Sequence, residues 1–323
     1  MTMQAFSITA KQVQALGRVA VIMGGCSAER SVSLKSGEAV LQALLSAGID
    51  AFKLDYQDDI KQLENTKFSR AFLALHGRGG EDGVIQAVLE SLGKPYTGSG
   101  VMGSAIAMDK MRTKYLWLGM NLPTPPFGYV DSTTSPLTSQ LVSLMDFPLA
   151  VKPAREGSSI GVFKVKNQSQ LDAAIESALA LDQQVLLEQW IEGSEYTVGI
   201  LGDKALPVIG LKTDHIFYDY DAKYESSDTE YLLPSGLSAD EEKSLSSMCL
   251  QAFKALGCEG WGRVDVMRDT DGRFWLLEVN TIPGMTDHSL VPMAAEHHGL
   301  DMSGLVAQIL LQTLPQEPSK GAD

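Results

Sequence analysis

Long hydrophobic runs are missing from this 323-residue chain. No stretch is long and apolar enough to span a bilayer as a helix. The N-terminal stretch MTMQAFSITAKQVQALG lacks the continuous apolar core of a secretory signal. Cysteine is scarce: Cys26, Cys249 and Cys258 are an odd number without metal-ligand spacing. They read as free thiols in a reducing cytosol, not as a disulfide or zinc framework. Cys26 sits in a glycine loop with no histidine near it in sequence, so it reads as a small loop residue and not a nucleophile. Basic residues are also few, 26 against 40 acidic ones, for a net charge of −14. Such a chain is a poor general binder of nucleic acid or anionic membrane, so an anionic ligand must be met by a few placed lysines, arginines and backbone amides. The phosphate-binding fingerprint GxxxxGK[ST] is absent as well, and the glycines of GGCSAERSVS are not spaced as GxGxxG. The sequon Asn167-Gln168-Ser169 carries no weight in a cytosolic chain.

What is present is ordinary globular patterning over a length that suits two or three domains. The first third alternates strand and helix: RVAVIM, VSLKSGEAVLQALLSAG, DAFKLDY, a weak helix, RAFLALHG and GVIQAVLESLG. That alternation predicts a parallel sheet with helices on its faces. After PYTGSG a helix is expected over SAIAMDKMRTKYLWLGM, then a proline-rich boundary, NLPTPPFG. FPLAVKP, SSIGVFKV, VLLEQWI and EYTVGIL predict an antiparallel sheet. A charged aromatic loop from His215 to Tyr231 has the look of a lid. A helix is expected near Glu241 to Leu256, and DTDG joins GWGRVDVMRD and GRFWLLEVN as a hairpin.

The terminal hairpin carries the strongest chemical signal. Strand side chains alternate faces, so Arg263 and Asp265 share one face, and Glu278 and Asn280 share another on the partner strand. If the faces coincide, two carboxylates and an amide oxygen converge as hard ligands suited to Mg²⁺; the plain alternative is a salt bridge on a solvated sheet face. In AVKPAREGSSIGVFKV, Lys152 precedes a loop of Gly157, Ser158, Ser159 and Gly161 between two strands. Backbone amides in such a loop can cradle phosphates, although a lone loop of this kind is more often a plain turn. Glu188 and Glu195 can accept from a nucleotide's amine and ribose hydroxyls, and Lys110 can point at phosphate; singly, each reads as a solvated residue. Glu29, in GGCSAERSVS, is a candidate partner for a substrate ammonium or else a helix-start carboxylate. Lys223 and Tyr224 stand in the aromatic loop. In HGRGGEDG, Glu81 and Asp82 read as caps of the following helix. SLVPMAAEHHG predicts a helix whose N-terminus attracts anions. His297 and His298 read as last-turn cations, not ligands.

Together these stretches resemble the ATP-grasp superfamily and, within it, the D-alanine–D-alanine ligases. HGRGGEDGVIQA resembles the first signature of that family and GRVDVM…LLEVNTIPGMTDHSL the second, with GGCSAERSVS, AMDK, VKPAREGSSIGV and YDAKY between and before them in order. The resemblance implies an α/β fold (α+β overall): an N-terminal parallel α/β domain over 1–105, a central small antiparallel ATP-binding domain over 106–194 and a C-terminal α+β domain over 195–323. It implies that Glu29 and His76 meet the first D-alanine. Lys110, Lys152 and Lys223 would contact ATP phosphates, with Ser158 and Ser159 in the loop above, and Glu188 and Glu195 the adenosine. Asp265, Glu278 and Asn280 would hold two Mg²⁺, with Mn²⁺ as a substitute. Arg263 and the Gly284 amide would form an oxyanion site, and Ser289 and Leu290 would receive the second D-alanine's carboxylate. Glu29, Ser158 and Tyr224 would form a hydrogen-bonded set linking loops to substrate. A cytoplasmic homodimer is implied, with no nucleic-acid or membrane partner; a monovalent-cation dependence stays open. Two departures stand out: Gln189 takes a place where many relatives have lysine, and the tails before Arg18 and after Leu314 lack a family counterpart and read as disordered or auxiliary. Three rival readings are a ligase making a D-alanyl–D-lactate ester, another ATP-grasp carboxylate–amine ligase, and a non-catalytic nucleotide-binding regulator.

Overall fold

The computed structural model describes residues 6–131, 145–157, 160–212 and 229–315. Its first layer is built on β1 (Val19–Gly24), whose six residues are all buried. A strand covered on both faces has to be continuously apolar, and VAVIMG obeys that rule. β1 lies between β2 (Ala51–Tyr56) and β3 (Arg70–Leu73), both parallel to it. The crossovers carry α2 (Arg30–Ser46) and α3 (Ile60–Asn65), as the alternating pattern predicts. α4 (Val84–Ser91) follows β3.

The helix expected over Ser104–Met120 is two helices. α5 (Val101–Met108) stops at Asp109, whose extended backbone breaks the turn and whose carboxylate accepts from the Arg112 amide to cap α6 (Lys110–Gly119). An aspartate favours that capping position over a helix interior, because its short acceptor competes for backbone amides.

Two antiparallel sheets follow. The smaller has the order β4 (Phe127–Asp131), β7 (Gln184–Gln189), β5 (Leu149–Pro153), β6 (Phe163–Val165). It packs on α7 (Gln168–Leu179), a helix not anticipated from the sequence. The larger has the order β11 (Glu230–Leu232), β10 (Ile209–Lys212), β8 (Gly193–Leu201), β12 (Trp261–Asp269), β13 (Phe274–Asn280), with β9 (Lys204–Ala205) on β8. EYTVGIL therefore belongs to the larger sheet and not beside VLLEQWI, as expected: β8 pairs along its whole length with β12. α8 (Ala239–Ala255) covers this sheet through Leu245, Cys249 and Phe253, starting from a Ser238–Glu241 capping box.

The last helices, α9 (Leu290–His297) and α10 (Met302–Leu311), return to pack on the first layer in one core with β1 and α2. The tail before Arg18, expected to be disordered or auxiliary, is tied down over its described residues from Phe6 onward. α1 (Ala10–Leu16) starts at a Thr9–Gln12 capping box. The buried Arg70 guanidinium donates to the carbonyls of Ala15 and Leu16 and to both oxygens of Thr313, so one side chain clips α1 and the end of α10 to β3. Among the described residues, no helix is long and apolar enough to cross a membrane.

Candidate active site

The hairpin converges as its alternation requires. Asp265 stands opposite Glu278, and Arg263 opposite Asn280. The connecting turn is held by Asp269, which accepts from the amides of Asp271 and Arg273 and from the Trp275 indole. Next to the Asp265–Glu278 pair the register slips by one residue, and Val266 pairs with Leu276. A bulge of this kind re-aims side chains, and here both Leu277 and Glu278 line the same cleft. Asp265 is 6% exposed and densely bonded. Arg263 donates to it twice, at 2.8 and 2.7 Å; Thr197 Oγ1 donates at 2.7 Å and Asn280 Nδ2 at 3.0 Å.

That cleft, of about 350 Å³, lies between the two antiparallel sheets. Its walls include Lys110, Lys152, Glu188 and Glu195 beside Asp265 and Glu278, with Ile160, Ile191, Met267 and Leu277 as apolar lining. Its size fits a small-molecule site with a few convergent polar groups. Lys110 is the first residue of α6; its Nζ donates to the Glu156 carbonyl at 2.7 Å and lies 3.4 Å from Glu278 Oε2. Glu156, at the root of the Gly/Ser loop, is also held by Arg78 from the HGRGGEDG stretch at 2.9 and 2.6 Å. Glu188 is 2% exposed and ion-paired to two lysines: Lys152, from the cleft side, and Lys114, 2.8 Å away. Burial opposes charge on Glu188, but the two lysines win and draw its carboxyl down to about 2. Burial likewise opposes charge on Lys152, and Glu188 overrides it to leave that ammonium above the usual lysine range. Ser158, Ser159, Lys223 and Tyr224 lie outside the described residues.

A second, smaller pocket of about 60 Å³ lies further along the same face of the hairpin, at Arg263 and Asn280. Glu29, His76, Glu81, Arg263, Asn280, Gly284, Ser289 and Leu290 line it, together with Gly157 from the loop root. Glu29 occupies the N-cap of α2 without a side-chain cap bond, a place where the helix dipole favours a carboxylate, and it also lines this pocket. Its carboxylate approaches Gly77 so closely that a Cβ at that glycine would sit 2.5 Å from Oε2, and Gly77 also has φ +69°. The positive φ favours glycine there, and a side chain would push the Glu29 carboxylate aside. His76 is buried, with Nε2 3.2 Å from Ser36 Oγ. Burial pushes the His76 imidazole down against the pull of Glu29, so the ring is neutral near pH 7. Ser289 is the N-cap of α9; its Oγ accepts from the Thr286 amide at 2.9 Å, and a Cβ on Gly284 would come within 2.8 Å of it.

Glu81 departs from its expected role. The N-cap of α4 is Gly83, and Glu81 instead accepts from the amides of Gly77 at 2.7 Å and Ile282 at 3.3 Å. Burial first, then the nearby charge of Glu29, push its carboxyl up to about 8. Asp82 does take the capping part, accepting from the Val84 amide at 3.1 Å. Lys114 was also not singled out from sequence, though its spacing from Met111 and Trp117, both buried, puts it on the inner stripe of α6. Gln189 lines the large cleft, and its amide group bonds the Asp146 amide and the carbonyls of Asp146 and Pro148.

Among the described residues, no three His, Cys, Asp or Glu side chains are grouped as a metal cage. Asp265, Glu278 and Asn280 nevertheless fit Mg²⁺, which takes few protein oxygens and completes its shell with water and phosphate. Asn280 turns its nitrogen to Asp265, leaving Oδ1 for a cation. Arg263, Thr197 and Asn280 together place two donors on each Asp265 oxygen, so a cation would take the place of one of them.

Comparison with known proteins identifies the family. Residues 116–311 match the family model described as D-ala D-ala ligase C-terminus. A D-alanine–D-alanine ligase from Marinobacter nauticus is 58% identical over 305 residues, covering 94% of this chain and 93% of that one. One from Alkalilimnicola ehrlichii is 54% identical over 313 residues, covering 97% of this chain and all of that one. Among solved structures, the Bacillus anthracis D-alanine–D-alanine ligase complexed with ATP superposes with a TM-score of 0.82 at 34% identity, covering 92% of this chain and 96% of that one.

Proposed function

The chain belongs to the D-alanine–D-alanine ligases, and from that premise we propose how its own residues carry the reaction. It is an ATP-grasp ligase that joins two D-alanines at the expense of ATP for cell-wall synthesis. The observation that carries the residue assignment is the hairpin's double position. Asp265 and Glu278 line the large cleft, while Arg263 and Asn280 line the small pocket. One face of the β-ladder thus carries a nucleotide-sized space beside an amino-acid-sized one.

In this reading the large cleft takes ATP. Glu195 and Glu188 accept from its ribose and adenine amine, and Lys110 and Lys152 meet its phosphates. Asp265, Glu278 and Asn280 would hold two Mg²⁺, which when bound offset the charge of the phosphates. The small pocket takes the first D-alanine, its ammonium on Glu29 and its carboxylate toward the hairpin. That carboxylate attacks the γ-phosphorus, ADP leaves, and an acyl phosphate forms. The chain's part in this step is positioning and electrostatics, since phosphoryl transfer needs little covalent help. The second D-alanine enters with its carboxylate at Ser289 and the N-terminus of α9, where orphan amides favour an anion. Its amine attacks the acyl carbon. Arg263 and the Gly284 amide donate to the oxyanion, which collapses to the peptide and releases phosphate. An acyl phosphate hydrolyses in open water, so the Gly/Ser loop rooted at Glu156 and the segment carrying Lys223 and Tyr224 close over it, with Ser158 and Tyr224 joining Glu29.

The division into 1–105, 106–194 and 195–323 belongs to the same proposal; it is supported by the change of sheet between β7 and β8. Need for ATP supports a cytoplasmic location, and the family likeness supports a homodimer. The test is ADP release from Mg²⁺-ATP with D-alanine, with L-alanine, and with D-alanine plus D-lactate. The expected result is stimulation by D-alanine alone with one dipeptide per ADP. Equal stimulation by L-alanine, or an ester as main product, would overturn the substrate assignment.

A further inference from the structure

Lys114 has no exposed surface at all, yet it is a lysine. Its Nζ donates to Thr124 Oγ1 at 2.7 Å, lies 2.8 Å from Glu188 Oε2 and faces the Phe127 ring at 5.7 Å. Thr124 spends its own hydroxyl proton on the Leu276 carbonyl at 2.9 Å, so it can only accept from Lys114. The ammonium is thereby fixed between the smaller sheet, through Glu188 on β7, and the larger one, through Leu276 on β13. Water cannot replace its partners, so it has nowhere to turn.

Lys152 differs. It reaches Glu188 from the cleft, and it lines the cleft whereas Lys114 does not. Glu188 therefore has two cations on one carboxylate, one locked in the interior and one next to the ligand space. A buried carboxylate needs one counter-ion; losing its last one is strongly unfavourable. The locked lysine makes the other one dispensable.

We propose that Lys114 is a positioning residue for nucleotide capture: it neutralises Glu188 from the interior, so Lys152 can leave Glu188 for the phosphates of ATP while the carboxylate stays aimed at the adenine amine. The proposal deepens the reading of the large cleft as the ATP site and rests on it. The other charges facing Lys114 are Lys152 on β5, which reaches Glu188 from the cleft, and Glu278 on β13, a carboxylate that cannot serve Glu188 as a counter-ion.

The experiment compares Lys114→Met, Glu188→Gln and the double variant by KM for ATP, KM for D-alanine and melting temperature. Lys114→Met should raise KM for ATP about tenfold or more, because Lys152 is then held on Glu188, and should leave KM for D-alanine within about twofold. Adding Glu188→Gln removes the charge that traps Lys152, so the double variant should recover much of the ATP affinity lost in Lys114→Met. Recovery of the melting temperature without recovery of KM for ATP would show a merely structural lysine and overturn the proposal. So would a parallel rise in both KM values. Where Lys114→Met alone does not fold, the double variant is set against Glu188→Gln: a KM for ATP no higher than that of Glu188→Gln supports the proposal, and a higher one overturns it. Glu195→Gln reports on the cleft separately, since an unchanged KM for ATP there would overturn the ATP-site reading itself.

Discussion

Asp265 and Glu278 stand directly opposite each other on β12 and β13, and the next pair on the same face, Arg263 and Asn280, lines the other pocket. Chemistry at that boundary should therefore fail when either carboxylate loses its charge. Glu278→Gln is expected to lower kcat by at least about 100-fold while ATP still binds through the lysines, as measured by steady-state kinetics alongside calorimetric titration. Turnover within a few-fold of wild type would remove Glu278 from the reaction.

Arg263 donates through Nε and Nη2 in a planar fork that a lysine cannot copy. Arg263→Lys keeps the charge but loses one of the two bonds to Asp265 and misplaces the oxyanion donor. A fall of about 10²–10³ in kcat is expected, with KM for ATP little changed. A pure rise in KM for ATP with normal kcat would place Arg263 in nucleotide binding instead.

Lys152 reaches into the cleft from β5. Lys152→Met should raise KM for ATP by about 10- to 100-fold, the worth of a charged hydrogen bond to phosphate, and spare KM for D-alanine. Glu188 keeps Lys114 as its partner, so the variant should fold with a melting temperature near that of wild type.

Glu81 gives a pH signature. Its carboxyl is raised to about 8 from an ordinary 4.5, chiefly by burial. Between those values the folded chain holds a proton that the unfolded chain has released. The contribution to stability is thus complete below pH 4.5 and is lost as pH rises through 8. Glu81→Gln cannot titrate. The melting temperature of wild type relative to this variant should fall steadily from about pH 5 to about pH 8.5; a difference that stays flat would mean that Glu81 is charged in the folded protein.

The hairpin was readable because strand alternation is local: once Arg263, Asp265, Glu278 and Asn280 are assigned to two strands joined by DTDG, their convergence follows from a single register. The parallel layer was readable because β1 is continuously apolar. Other features depend on partners distant in sequence. The buried clip of Arg70 joins residues more than two hundred positions apart, so α1 looked like a loose tail. Glu81 seemed a helix cap because nothing local reveals that Ile282 comes to meet it. EYTVGIL was assigned to the wrong sheet because strand pairing depends on which partner is free, and β12 lies far ahead in the chain. Lys114 was hidden by its charge, since a lysine on a helix is ordinarily solvated.

The central claim is that the γ-phosphoryl group passes along the face shared by Arg263, Asp265, Glu278 and Asn280 to the carboxylate of the first D-alanine. The most direct measurement uses D-alanine labelled with heavy oxygen in its carboxylate and follows the label into the products. If an acyl phosphate forms, each dipeptide made should be accompanied by one heavy oxygen in the released phosphate, with the peptide carbonyl retaining its other label. Phosphate free of label, with dipeptide still formed, would mean that the carboxylate oxygen never bonds to phosphorus and would contradict the account.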